Sequence, residues 1–201
     1  MHMIIAWLLL GYLFGSVSSA IVVCRVLGHG DPRLVGSRNP GTTNVLRQFG
    51  KGAAALTLIG DVAKGVIPVV ASQFWDVEPL GVALAGGGAF LGHLYPIFFR
   101  FVGGKGVATL IGVLLAFDIK LGICFIGCWL SIAALTRYSS LSALTATTLT
   151  PIVAFYLGTP LPSVVMLGLM GLFVFWRHQS NIRNLLAGTE RKIGKSREDG
   201  T

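Results

Sequence analysis

The 201-residue sequence predicts an all-α integral membrane protein: a bundle of seven transmembrane helices, with the N-terminus outside and the C-terminus cytoplasmic. Three observations carry that expectation. Apolar residues make up 53% of the chain and charged residues 12%, whereas a soluble domain carries about a quarter charged residues. Mean hydropathy is +0.75, and apolar runs reach the roughly 18 residues that mark a spanning helix. The 16 Lys and Arg, set against 8 Asp and Glu, gather in alternate connections between those runs, the pattern that sorts cations into cytoplasmic loops. Disorder and collagen-like repeats are excluded by high apolar content and aperiodic glycine. A disulfide scaffold is excluded because Cys24, Cys124 and Cys128 all lie within apolar runs, where they read as small embedded side chains. Residues 1–201 show no internal repeat and read as one membrane-embedded domain.

The first run, Met3–Cys24, extends about 33 Å as a helix, enough to cross the hydrocarbon. It lacks a positive n-region and a small-residue cleavage site, which predicts a retained helix. Gly11, Gly15 and Ser19 recur every four residues along it, and Gly88 and Gly92 do so in the third run. Such stripes let helix backbones approach closely in lipid. The second run, Ala53–Phe74, carries Asp61 and Lys64 on one helix face. Ionisable residues in a span usually face the protein interior, so both structural pairing and direct participation stay open. The third run is Leu80–Phe99; Val107–Phe117 and Leu121–Leu135 are short; Leu141–Leu157 and Ser163–Trp176 complete the set.

By length alone the fourth and fifth runs could form one tilted helix. Charge decides. With seven spans the inner side receives Arg25, Arg33, Arg38, Arg47, Lys51, Arg100, Lys105 and Arg137. It also receives Arg177, Arg183, Arg191, Lys192, Lys195 and Arg197, making 14 of the 16 cations. Merging the two runs would send Arg137 and the basic tail to the far side. The outer connections are short and carry Asp76, Glu78, Asp118 and Lys120. The net charge of +8 is therefore one-sided, which suits anionic lipid. Nucleic acid is not an expected partner, because no aromatic-interleaved basic stretch lies outside the spans.

Three polar segments share the inner face. The first centres on Gly36-Ser37-Arg38-Asn39-Pro40-Gly41-Thr42-Thr43-Asn44-Val45-Leu46-Arg47. Glycine exposes backbone N–H groups, hydroxyls and amides donate, and arginine grips phosphate in a fork. Thr42 or Thr43 is a candidate cap for a short helix toward Arg47. The second runs from Gly92-His93 through Pro96 and Arg100 to Gly103-Gly104-Lys105-Gly106-Val107-Ala108-Thr109. It presents Lys105 beside backbone donors at a helix N-terminus. A nucleotide P-loop needs glycine five positions before Gly104 and Ser or Thr after the lysine; Phe99 and Gly106 stand there instead. The third is His178-Gln179-Ser180-Asn181-Ile182-Arg183, continuing to Gly188-Thr189-Glu190.

Several membrane chemistries lack their parts. There is no His-Glu-x-x-His site, and the inner carboxylates Asp31, Asp61, Glu190, Glu198 and Asp199 are too scattered to gather magnesium. No histidine is followed five positions later by aspartate, and no Gly-x-Ser-x-Gly elbow occurs. What remains is a metal-free site rich in anion-binding groups and poor in bases.

These segments resemble the three cytoplasmic motifs of the bacterial acyl-phosphate:glycerol-3-phosphate acyltransferases, the PlsY family. The first motif is similar to Gly-Ser-Gly-Asn-x-Gly-Ala-Thr-Asn-x-x-Arg. Ser37, Asn39, Gly41, Thr43, Asn44 and Arg47 match it, while Arg38 and Thr42 replace Gly and Ala. The second resembles Gly92-His93, Pro96 and Gly103 through Thr109. The third, His-x-x-Asn-Ile-x-Arg-Leu-x-x-Gly-x-Glu, matches at His178, Asn181, Ile182, Gly188 and Glu190; its Arg-Leu pair is displaced, Arg183 preceding Asn184 and Leu185. Asp61, Lys64 and Gly65 fit the family's second-span signature.

The resemblance implies acyl transfer from acyl phosphate to sn-glycerol 3-phosphate, giving 1-acylglycerol 3-phosphate and phosphate in phospholipid synthesis. It implies no cofactor, a monomer, and an active site on the cytoplasmic face of the bacterial plasma (inner) membrane. On this footing Lys105, Arg47 and the backbone of Gly103, Gly104 and Gly106 hold one or both phosphates. Ser37, Asn39 and Asn44 orient the acyl phosphate, with Gly36, Gly41, Thr43 and Glu190 also among the substrate-binding residues. His178 and Asn181 align the glycerol hydroxyl; Asp61, Lys64 and His93 support the site. His178 and the substrate phosphate are rival proton acceptors, with the phosphate favoured because no residue is evident to fix the tautomer of His178. The competing class is a small transporter for a phosphorylated solute, which would gather polar groups near the midplane in repeated halves.

Overall fold

The structure, a computed structural model, describes residues 2–194, with side chains from Ile4 onward. Lys195, Arg197, Glu198 and Asp199 of the expected inner tail lie outside the described residues. In chain order the helices are α1 His2–Gly15, α2 Ser19–Val26, α3 Thr42–Phe74, α4 Pro79–Leu94 and α5 Val107–Phe117. They continue with α6 Ile119–Thr136, α7 Ser139–Tyr156, α8 Leu161–Arg177 and α9 Gln179–Leu186, and a 3₁₀ turn at Ile97–Phe99 follows α4. Four stretches are long and apolar enough to cross a membrane: Ile4–Val26, Thr42–Phe74, Pro79–Phe99 and Ile119–Thr136. The pair α8–α9, bent by 61°, qualifies as a fifth. Helix α5, with 11 residues, extends only about 16 Å. The 18 residues of α7 carry Ser139, Ser140, Ser142, Thr145, Thr147, Thr148 and Thr150, and those hydroxyls lower its apolarity.

The first run differs from the single helix expected of Met3–Cys24. It breaks after Gly15 and resumes at Ser19. Carbonyls freed by such a break need partners in lipid. Lys64 Nζ donates to the Val17 carbonyl at 2.9 Å, and the Ser16 hydroxyl is satisfied by the Tyr12 carbonyl at 2.7 Å. Below the break α1 packs backbone to backbone on α4, as the small-residue stripes predict. A methyl group added at Gly88 would overlap the Leu8 carbonyl, and one at Gly92 the Tyr12 carbonyl. Over-packing of this kind costs about 1–3 kcal/mol.

Helix α3, which contains the second expected run, starts eleven residues before the expected Ala53, at Thr42. Gly50 (φ 89°, ψ −178°) breaks it into a polar prelude and an apolar span, so the first polar segment is half loop and half helix. Gly41 occupies the N-cap position, and neither Thr42 nor Thr43 caps the helix. Helices α5 and α6 are separate and fold back on each other at Asp118, whose carboxylate accepts from the Lys120 amide at 2.8 Å. One merged tilted helix is thereby excluded.

Val69, Phe90, Leu94, Leu110, Val113, Leu114, Leu167 and Met170 form the centre of the core, between α3, α4, α5 and α8. Ile59, Ile123, Leu130 and Leu172 are exposed on the outside, a surface suited to hydrocarbon. The start of α3, the end of α4, the start of α5, the turn between α6 and α7 and the end of α8 converge at one end. Arg33 bridges the first segment to the Phe99 carbonyl at 3.0 Å. Arg137 donates to the Ile193 carbonyl at 2.9 Å and receives the Ile193 amide at 2.7 Å. Arg137 and Ile193 therefore lie at the same end of the bundle.

Candidate active site

The glycine loop is built between α4 and α5. Arg100 and Phe101 both adopt φ 58°, so the chain turns sharply in the left-handed region before running across the end of α4. Gly104 N–H donates to the His93 carbonyl at 3.1 Å. Gly106, at φ 88°, forms the N-cap position of α5, and a Cβ there would overlap the Phe90 ring. Only glycine fits both demands. Arg177 Nε–H donates to the Gly104 carbonyl at 3.1 Å and its NH2 group to the Gly103 carbonyl at 2.8 Å. Its guanidinium lies 5.7 Å over the Tyr95 ring. The loop thus holds Lys105 at the start of α5, where backbone N–H groups already favour an anion.

Lys105 Nζ donates to Asn181 Oδ1. Asn181 Nδ2 donates to Glu190 Oε1 at 2.7 Å, and Ser140 Oγ donates to the same oxygen at 2.6 Å. The second and third segments therefore meet at one point. Burial pushes the Lys105 ammonium down to about 8; the Glu190 carboxylate opposes that fall, and Arg177 and Arg47 add to it. Three cations act there against one carboxylate, which leaves the site anion-seeking.

His178 sits at the junction of α8 and α9 and is buried. Its Nδ1 lies 2.8 Å from the Val174 carbonyl. A carbonyl only accepts, so Nδ1 carries the proton and Nε2 is left as the ring's acceptor. The expectation that nothing fixes this tautomer is corrected: a backbone carbonyl one turn back does so, and sequence cannot display it. Burial first, then Lys105, pushes the imidazole down to about 4. It is a neutral hydrogen-bond acceptor at physiological pH.

The first segment divides. Arg47, on the polar prelude of α3, donates to the Arg191 carbonyl at 3.2 Å and stands near enough to act on Lys105. Ser37 is exposed, its backbone N–H fixed by Asn44 Oδ1 at 2.9 Å. Asn44, expected to orient the donor, is buried and spends its amide inside the loop, donating to the Pro32 and Val35 carbonyls at 2.9 and 3.2 Å. Its side chain braces the segment from within. Gly36, at φ 61°, lies against that amide, and Gly41 lies against the Asn39 side chain. Thr43 Oγ1 meets Ser139 Oγ at 3.4 Å, joining the starts of α3 and α7. Glu190, expected among the substrate-binding groups, accepts from Asn181 and Ser140. Its carboxylate gathers these two donors onto one oxygen.

Asp61, Lys64 and His93 lie beneath the loop. The Asp61–Lys64 pair stands at 2.9 Å, and His93 Nδ1 is 3.6 Å from the same Asp61 oxygen. Sequence reasoning missed Arg177 and Ser140. Arg177 reads as one more topology charge because its partners are 73 and 74 positions away. Ser140 reads as a helix-start hydroxyl. Among the described residues no group of three or more His, Cys, Asp or Glu is arranged to hold a metal ion.

A family model described as glycerol-3-phosphate acyltransferase matches residues 5–188. A glycerol-3-phosphate acyltransferase of Thioalkalivibrio sulfidiphilus is 50% identical over 91% of this chain and 90% of its own length. One from Methylococcus capsulatus is 50% identical over 96% of this chain and 98% of its own. Among solved structures, PlsY, an integral membrane glycerol 3-phosphate acyltransferase in its glycerol 3-phosphate form, superposes with TM-score 0.90 at 36% identity, covering 95% of this chain and 96% of that one. Its lysophosphatidic acid form gives TM-score 0.88 at 35% identity, covering 95% of each chain.

Proposed function

This chain belongs to the glycerol-3-phosphate acyltransferase family, and from that premise we propose that it transfers an acyl group from acyl phosphate to the 1-hydroxyl of sn-glycerol 3-phosphate. The ester C–O bond forms, the mixed-anhydride C–O bond breaks, and lysophosphatidic acid and inorganic phosphate leave. The reaction serves phospholipid biosynthesis at the inner face of the bacterial plasma membrane. One observation carries the reading: Lys105, just before the start of α5, has two cations, Arg47 and Arg177, and one carboxylate, Glu190, as its charged neighbours. Two phosphoryl groups need that much positive charge.

Positioning and electrostatics supply the rate. The anhydride already has a good leaving group, so cations that gather charge on the departing phosphate and donors that hold the hydroxyl near the carbonyl suffice. His178 Nε2 accepts the glycerol hydroxyl. With its pKa near 4, His178 is a weaker base than a phosphate monoester, whose second pKa is about 6. The hydroxyl proton therefore passes to substrate phosphate, and no metal or cofactor takes part. In this reading the working unit is a monomer that crosses the bilayer seven times with its N-terminus outside, α5 and α7 included. The shared end reached by the Arg33, Arg47, Arg137 and Arg177 contacts supports it.

Purified protein in detergent, given glycerol 3-phosphate with acyl phosphate, acyl-CoA or acyl carrier protein, tests the donor. Acyl phosphate is expected to yield phosphate and lysophosphatidic acid in equal amounts. The thioesters offer the cations no phosphate at the reacting carbonyl and are expected to give no product. Equal or faster product from acyl-CoA would contradict the assignment.

A further inference from the structure

The buried cluster under the glycine loop remains unused by the chemistry above. Asp61, Lys64 and His93 come from two different helices and are all nearly inaccessible. Three ionisable groups inside a bundle are costly, and packing alone would be served by apolar side chains. Lys64 is committed twice, to Asp61 at 2.9 Å and to the Val17 carbonyl at 2.9 Å. That leaves His93 as the member that reaches the loop. Its carbonyl receives Gly104 N–H. Its ring is the obstacle at Gly104: the three heavy atoms nearest a Cβ added there are all imidazole atoms of His93, with Nε2 in overlap.

We propose that His93, backed by Asp61, is a positioning residue for Lys105: its imidazole is the surface on which Gly104 rests, while Arg177 grips the Gly103 and Gly104 carbonyls. The loop is thus held by two side chains, and Lys105 follows at the next position. Removal of the ring lets the loop sink and moves Lys105 away from the phosphate it holds. This inference rests on the acyltransferase reading for its readout.

A two-by-two cycle in purified protein tests it, with wild type establishing the reaction independently of the variants. Gly104→Ala is expected to raise KM for glycerol 3-phosphate, lower kcat, or both, by about tenfold or more in kcat/KM. His93→Ala is expected to raise KM several-fold while the protein elutes and melts as a folded species. In the double variant the added methyl meets an empty space, so Gly104→Ala is expected to cost less than about twofold there. Asp61→Asn is expected to raise KM in wild type and to add nothing in His93→Ala. If His93→Ala does not fold, the same cycle is run with His93→Ser. Costs of Gly104→Ala that multiply with those of either His93 variant would overturn the proposal. So would a His93 variant with wild-type KM and kcat in its folded fraction, because that marks a structural role only.

Discussion

Lys105→Met is expected to lower kcat/KM for glycerol 3-phosphate by about two to three orders of magnitude, the cost of removing one preorganised group from developing charge. The side chain joins the second and third segments through Asn181, so its loss removes both a cation and the contact that gathers them. The pH profile supplies the sign. In the free site the ammonium, with its pKa near 8, is charged below that pH and neutral above it. kcat/KM is therefore expected to decline as pH rises through about 8. On the acid side it declines below about 6, where the phosphate monoester gains a proton. Saturating glycerol 3-phosphate stabilises the ammonium, so kcat itself should hold to higher pH. Lys105→Arg keeps the charge at all working pH values and is expected to lose the alkaline limb while still losing rate through its bulk. An alkaline limb unchanged in Lys105→Arg would reassign it to another group.

Replacement of His178 has the second large effect. His178→Ala removes the acceptor held ready by the Val174 carbonyl and is expected to lower kcat by about ten- to a thousandfold. The discriminating variant is His178→Asn. An amide oxygen accepts a hydrogen bond but takes no proton at neutral pH. If substrate phosphate takes the proton, His178→Asn should recover to within about tenfold of wild type. An Asn variant as slow as the Ala variant would make His178 the obligatory base.

Which parts of this molecule were legible in the sequence follows from range. The small-residue stripes of Gly11, Gly15, Gly88 and Gly92 and the Asp61–Lys64 pair obey helical spacing, and the structure contains both features. The glycines around Lys105 pointed to a loop that runs into a helix N-terminus, and α5 does start at Val107 with Gly106 at its N-cap position. The break at Gly15–Ser19 was hidden, because the carbonyl it frees is satisfied from α3, 47 residues on. Asn44 and Ser37 looked alike as polar loop residues, yet one is buried scaffold and the other exposed. Arg177 escaped notice because an arginine after a span always reads as topology. Its two bonds to loop carbonyls exist only once α4, α5 and α8 have packed.

Phosphate capture as described requires three distant segments to share one face of the membrane. Arg38, Val102 and Thr189 are exposed members of the first, second and third segments, and Glu78 is exposed at the opposite end of α4. Single cysteines at these positions, in a variant lacking Cys24, Cys124 and Cys128, can be treated with a membrane-impermeant thiol reagent in right-side-out and inverted vesicles. Labelling of 38, 102 and 189 only from the cytoplasmic side, and of 78 only from outside, is the predicted result. Any two of the first three reacting from opposite sides would contradict a common phosphate-binding face.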